Sequence, residues 1–483
     1  MQVRVRQFGA ETAIYIGAQV TVRLLAMVAV AIYARAILPE AFGLLDVALA
    51  AQSVLMPLGA LGLQAAIKLF WFEDSDPRVA NTSALLMQAG AGTGLALAGH
   101  WFAPLMSAWL TGTPEHADVF RLGVWAVPFF LIQDHTAGML RVVQRPWGYA
   151  LIVVGAAVVQ SGLGAIWAVG IGQGVAGVLL AGLVTQVGFA GLGLLLTRRT
   201  LAWSASWWTL RRMLAYGVPL VPASLVRWVM SAANRWIFAL YGLLGAAGIF
   251  GVGFRAGLMA LVVAQAFELS WLPFALSITR RVDAPRLYGR GALLYAALAG
   301  GVAGGVGLWA RELAALLAPP AYAEAAVVAP LVGLAHALGG LTGVLSIGAQ
   351  VARQTWRISA ATATGAAFTL LLTVALIPPL GPAGAAWAML VGQGVSVGVI
   401  IGLVRRVYSV PFPWRQLAVI GGMAAMLCAA GVVWPRTLPL AWTLPLKLAV
   451  LVLWPLWLTA LGGLRHEDWG AFRRLLRPPG DAA

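Results

Sequence analysis

Uninterrupted apolar stretches of about 20 residues recur from one end of the chain to the other, and each is long enough to cross the hydrocarbon core of a bilayer as a helix. Lipid offers the backbone no hydrogen-bond partners, so a spanning segment must satisfy its own amides, as an α-helix or in a closed barrel. Barrel strands alternate apolar and polar residues, and these stretches do not. Of 483 residues only 10% are charged, against about 25% in soluble domains. The chain is thus expected to be an all-α integral membrane protein, and a water-soluble fold is excluded.

The reading gives about fourteen spans, at residues 10–37, 42–67, 81–108, 119–140, 148–169, 173–196, 213–240, 245–277, 291–310, 325–350, 358–378, 383–404, 416–434 and 443–464. The first follows Arg4 and Arg6 and in that respect resembles a secretory signal. It is too long for one, carries Arg23 in its middle and lacks a small-residue cleavage site. The single cysteine, Cys428, lies in an apolar run, which leaves neither a disulfide framework nor a thiolate metal site.

A net charge of +16 would suggest nucleic acid for a soluble protein. Here the placement of charge argues otherwise. Counted by alternate sides, roughly 23 Lys and Arg fall on the side of the N-terminus and roughly 5 opposite, which by the positive-inside rule puts both termini in the cytoplasm. The clusters Arg198-Arg199, Arg211-Arg212, Arg280-Arg281, Arg405-Arg406 and Arg473-Arg474 then face anionic lipid, and no nucleic-acid partner is expected. Trp203, Trp207 and Trp208 beside those basic residues suit either an interfacial amphipathic segment or a plain tryptophan belt.

Loops such as Phe72 to Pro77 and Thr197 to Arg212 are too short to hold a catalytic domain. Ala41 to Ala50 lines up with Ala246 to Arg255, sharing Ala, Gly and Val, and both segments open the second helix of a six-helix set. Six spans return the chain to its starting side, so the sets would be parallel repeats, an arrangement used by secondary transporters. The expected organisation is an N-lobe at 1–200, a C-lobe at 201–410, and a helix pair with a cytoplasmic tail at 411–483.

Charged groups inside a membrane are costly and mark function by default. Arg23, Arg227, Arg235 and Arg255 lie within spans, and on one helix Arg227, Ser231 and Asn234 fall on a single stripe with Arg235 beside it. Two readings stand. The arginines line a wet cationic cavity for an anionic, phosphate-bearing substrate, or they snorkel and pair with carboxylates such as Asp134 or Glu268. Asp134 with His135, and Glu268, are ion-coupling or counter-ion candidates. Asp46 is expected at a solvated mouth. Pro219 and Pro222 predict a distorted helix start, with a hinge as the alternative. No Gly-rich phosphate loop, His-Glu-x-x-His or supported Ser/His/Asp set occurs, so no enzyme, metal site or bound cofactor is expected.

Four segments, Ala34-Arg-Ala-Ile-Leu-Pro-Glu-Ala-Phe-Gly43, Leu210-Arg-Arg-Met-Leu-Ala-Tyr-Gly-Val-Pro-Leu-Val-Pro222, Asn234-Arg-Trp-Ile-Phe-Ala-Leu240 with the following Gly248-Ile-Phe-Gly251, and Ala375-Leu-Ile-Pro-Pro-Leu-Gly-Pro-Ala-Gly-Ala-Ala386, come in an order and spacing that resemble the Wzx-type polysaccharide flippase family. That family belongs to the multidrug/oligosaccharidyl-lipid/polysaccharide (MOP) exporter superfamily. The resemblance implies a MATE/MurJ-like fold of two six-helix lobes that alternately open a central cavity. It also implies a multi-pass protein of the bacterial inner membrane that carries an undecaprenyl-pyrophosphate-linked oligosaccharide to the periplasmic leaflet, with membrane lipids, a polysaccharide polymerase and chain-length proteins as partners. A proton or sodium gradient or the membrane potential would drive it. A lipid II flippase and a cation-coupled multidrug antiporter are the alternatives. Relatives often have Asp-Arg where this chain has Asn234-Arg235, which removes a possible counter-ion and leaves the role of Arg235 open; an asparagine-rich segment of theirs is also absent from Ala361 to Thr373.

Overall fold

The computed structural model describes residues 2–408, 410–435, 439–465, 467–468 and 470. Arg473, Arg474 and most of the expected tail lie outside the described residues. Helices are the only regular elements among the described residues. The chain divides into two compact units, Met1–Gly248 with Leu317–Ala321, and Ile249–Leu316 with Tyr322–Ala483.

The first unit contains α1 (Gln2–Ala36), α2 (Pro39–Ala60), α3 (Leu63–Glu73), α4 (Pro77–Thr111), α5 (Ala117–Val142), α6 (Pro146–Gly164), α7 (Gly174–Thr197), α8 (Trp207–Gly217) and α9 (Val221–Leu240). Local chemistry sets several boundaries. Proline stands in the first turns of α2, α4 and α6, where its missing N–H costs nothing. Asp76 caps α4 by accepting from the Arg78 and Val79 amides. Between α2 and α3, Leu61 and Gly62 both have positive φ, 51° and 68°, which interrupts one long apolar segment with a bend. α5 packs between α4 and α7, α1 lies on α6, and α8 and α9 pack on α2, α3 and α4. This packing places the division between the compact units at Gly248, well beyond the expected lobe boundary at 200.

The repeat read from the sequence has a counterpart in packing. A β-carbon on Gly43 of α2 would overlap the Leu244 carbonyl, and one on Gly248 would overlap the Pro39 carbonyl. The approach is reciprocal: each glycine meets the residue four before the other.

The second unit contains most of α10 (Leu244–Ser277), then α11 (Ala284–Leu308), α12 (Ala310–Leu317), α13 (Ala325–Leu345), α14 (Ile347–Val351), α15 (Trp356–Val404), α16 (Trp414–Val433), α17 (Leu440–Val452) and α18 (Trp454–Ala460). α11 packs against α13 and α16, and α13 against α15. The core here is built around Trp271, Tyr288 and Tyr295. At 49 residues α15 would be roughly 70 Å long if straight, far more than a bilayer needs. It doubles back at Gly381, whose φ of 55° and ψ of −132° leave helical space among Pro378, Pro379 and Pro382. Ser396 on the second arm donates to the Ala361 carbonyl on the first at 3.1 Å.

Among the described residues, ten helices are long and apolar enough to cross a membrane, eleven if the bent α17–α18 pair is one span. The expected fourteen is therefore not a count that apolarity returns, for two physical reasons. The two spans expected at 358–378 and 383–404 are the arms of α15 and count there as one. At 81–108 and 119–140, α4 and α5 are long enough but less apolar, because they carry the buried polar side chains Asn81, Ser83, Gln88, His135 and Thr136.

Candidate functional site

The polar stripe of α9 begins behind a distorted entry. α8 ends at Gly217, a tight 3₁₀ turn covers Val218–Leu220 with Pro219 inside it, and Pro222 stands in the first turn of α9. The expected distortion is present, and both prolines are exposed. Gly217 in turn meets Gly62 at the α2–α3 bend, backbone against backbone.

Along α9 the expected site residues separate by environment. Arg227 is exposed, and its Nη2 donates to Ser224 Oγ at 2.7 Å. No carboxylate among the described residues lies within ion-pair distance of it. The Ser231 hydroxyl turns back onto the Arg227 carbonyl at 3.1 Å, and Asn234 is buried. Arg235 is buried as well. Its Nε lies 3.9 Å from Asp46 Oδ2, its Nη1 lies 3.1 Å from Asn234 Oδ1, and it also donates to the Ser231 carbonyl. Asp46 is only 2% exposed, which corrects the expectation of a solvated mouth. A buried carboxylate needs a cation, and α9 packs on α2 where it can supply one.

Arg23 on α1 is half-buried. Arg255 of α10, in the second unit, is half-buried, with Nη1 on the Gly251 carbonyl at 3.0 Å. The four arginines thus do not share one environment. Arg235 is engaged inside the first unit, and Arg227 keeps its charge exposed.

Asp134 and His135 point to different partners. Asp134 has Arg141 and Lys68 as its charged neighbours, whereas the His135 ring is buried between the amides of Gln88 and Asn81, at 2.9 and 2.8 Å. Glu268 is exposed on α10. In the turn between α10 and α11, Arg281 binds Asp283 through Nε and Nη2 at 2.8 and 2.9 Å. These hydrogen bonds hold the Asp283 carboxyl below the usual carboxylate range and raise the Arg281 guanidinium. Trp203, Trp207 and Trp208 are all exposed, and Arg212 lies over the Trp208 and Phe70 rings at 4.9 and 5.1 Å.

Two charged residues escaped the sequence reading. Lys447 of α17 is wholly buried, with Nζ 2.7 Å from Glu312 Oε1 of α12 and 5.2 Å from the Trp434 ring. A lone lysine in the run Leu440–Val452 was the available signal.

Comparison with known proteins adds to this geometry. The profile of the polysaccharide biosynthesis protein family matches residues 8–279, more than half of the chain. The chain belongs to that family. No curated protein sequence matches it. Its fold is similar to that of a lipid II flippase, MurJ, in an inward closed conformation, at 12% identity and a TM-score of 0.74, covering 95% of this chain and 99% of that one. It is also similar to an inward-facing MATE family multidrug resistance transporter of the MOP superfamily, at 16% identity and a TM-score of 0.56, covering 83% and 95%. The MATE transporter VcmN of Vibrio cholerae, a mutant form, gives 16%, 0.58, 83% and 96%. The family member described here is a multi-pass membrane protein, helical throughout its described residues, with the fold of the flippase and transporters just named.

Proposed function

We propose that this member of the polysaccharide biosynthesis family moves an undecaprenyl-pyrophosphate-linked oligosaccharide from the cytoplasmic to the periplasmic leaflet of a bacterial inner membrane by alternating access. The observation that carries the reading is Arg227: a guanidinium in an apolar helix, exposed, with a serine hydroxyl and no carboxylate as its described partner. An intramembrane charge costs at least about 2.5–3.5 kcal/mol, and a pyrophosphate fits the donor fork of arginine. Arg23 and Arg255 are the further candidates for the same role, and Arg235 holds Asp46 instead. Both termini are cytoplasmic in this reading. A proton or sodium gradient or the membrane potential supplies the drive, with Asp134 and Glu268 as the groups to test. Membrane lipids, a polysaccharide polymerase and chain-length proteins are its partners.

Likeness to the lipid II flippase over 95% of the chain favours a second cargo of the same chemistry, the peptidoglycan precursor, which differs in the sugar and keeps the pyrophosphate. A multidrug antiporter would favour acidic groups over Arg23 and Arg227. The test is reconstitution in vesicles with each lipid-linked donor in turn, measuring sugar that reaches the outer face. Replacing Arg227 by Ala is expected to lower transport about 10- to 100-fold, the equivalent of one charged hydrogen-bond partner. Undiminished transport in Arg23→Ala, Arg227→Ala and Arg255→Ala alike would remove the basis for a cationic site.

A further inference from the structure

His135 stands in a closed hydrogen-bond set inside the first unit. Its Nδ1 is 2.9 Å from Gln88 Oε1 and its Nε2 is 2.8 Å from Asn81 Oδ1. The far end of each amide fixes which atom faces the ring. Gln88 Nε2 donates to the Ala60 carbonyl at 3.1 Å, and Asn81 Nδ2 donates to the Thr200 carbonyl at 3.0 Å and to its hydroxyl at 3.1 Å. Carbonyl oxygens only accept, so turning either amide over would set oxygen against oxygen. The Thr200 hydroxyl, which donates to the Thr197 carbonyl at 2.7 Å, could turn its proton to a reversed Asn81, but the Asn81 oxygen would then still face the Thr200 carbonyl. Both ring nitrogens therefore face oxygens that carry lone pairs and no hydrogen. A neutral imidazole has one N–H and one bare nitrogen, so it satisfies one amide and repels the other. An imidazolium satisfies both.

We propose that His135 is a proton-binding site, kept in the imidazolium form by Gln88 and Asn81, and that its proton ties α5 to the α2–α3 bend on one side and to the end of α7 on the other. Loss of the proton leaves one nitrogen without a hydrogen, and the amide facing it must turn over and release Ala60 or Thr200. Neither of those residues belongs to a straight helix interior. Ala60 closes α2 just before Leu61 and Gly62, whose backbone presses on Gly217 ahead of the Pro219 turn. Thr200 ends the tight turn that follows α7. A proton taken from or returned to water at this ring thus sets the hold on two bends, whatever cargo the protein carries.

The ionisable groups on the surrounding elements are Asp118, Arg121, Asp134 and Arg141 on α5, Lys68 and Glu73 on α3, Arg78 and His100 on α4, Glu40 and Asp46 on α2, and Arg198 and Arg199 after α7. Among the described residues none of them contacts the ring, and the two amides are its polar environment.

Solid-state NMR of ring nitrogens in ¹⁵N-histidine-labelled protein in lipid bilayers tests the proposal. The chain has five histidines, so replacing His100, His116, His336 and His466 by Gln leaves His135 as the sole signal. Both of its nitrogens are expected at imidazolium shifts at about pH 7.5, where an unperturbed ring, with a pKa of about 6.5, is mostly neutral. Adding Gln88→Leu removes one acceptor and is expected to return the ring to the neutral form, whereas Gln88→Glu keeps the imidazolium. A neutral His135 at that pH overturns the proposal, as does an imidazolium that persists in Gln88→Leu. If the fourfold variant does not fold, the native chain answers: absence of any imidazolium signal at about pH 7.5 refutes the idea, and an imidazolium signal that disappears in His135→Gln upholds it.

Discussion

Gly43 and Gly248 meet backbone to backbone, each so close to the other's helix that a β-carbon on either would overlap a carbonyl. The two residues occupy equivalent places in the two matching segments of the sequence, which ties a faint internal echo to a physical contact. Gly43→Ala and Gly248→Ala are each expected to destabilise the protein by about 1–3 kcal/mol, since the obstructing atoms are backbone and cannot rotate away. Gly90→Ala and Gly94→Ala in α4, where a β-carbon meets nothing within 4 Å, are the controls and should be neutral or gain about 0.5–1 kcal/mol. Thermal unfolding in detergent compares the four, and equal effects at all of them would dissolve the argument.

Asp46 and Arg235 form a buried pair, at 1% and 10% side-chain exposure. Asp46→Ala takes the carboxylate away from the Arg235 guanidinium and is expected to cost about 3 kcal/mol, the lower end for such pairs because 3.9 Å is a loose contact. Removing both charges, with Asp46→Asn and Arg235→Gln together, should recover part of that loss. A double-mutant cycle with no coupling would show that the pair is incidental.

The wholly buried Lys447 and the half-buried Glu312 join α17 to α12. Lys447→Met leaves the Glu312 carboxylate without its cation, and a loss of about 1–3 kcal/mol is expected, less than for a fully buried pair because Glu312 still reaches solvent. Adding Glu312→Gln should restore much of it. Limited proteolysis offers an independent readout, with the single variant nicked near α17 faster than either the native chain or the double variant.

Gly381 reverses α15 with a φ of 55°. Alanine there takes up a backbone conformation that costs about 1–3 kcal/mol. The expected consequence is weaker packing of the 356–380 arm on the 382–404 arm, measured as faster amide hydrogen exchange around Ser396 and Ala361. Exchange unchanged in Gly381→Ala would mean that the prolines alone direct the reversal.

The sequence by itself determined the class of protein, because hydrophobicity is a property of each run of residues and needs no partner to be read. It also located the arginines within the spans, the break at Pro219 and Pro222, and the Pro378 to Pro382 reversal, all of which are local chemistry. What each charge is for depended on tertiary structure. Lys447 and Glu312 are 135 residues apart, and the Trp228–Ser53 hydrogen bond joining α9 to α2 spans 175. Asp46 changes from a mouth residue to a buried counter-ion only once α9 lies on α2. Asp134 and His135, adjacent in sequence, part company because successive helical residues point about 100° apart, and only packing decides what each direction meets. Arg227 and Arg235 read alike as arginines of one span, and the fold alone gives Arg235 a carboxylate and leaves Arg227 exposed.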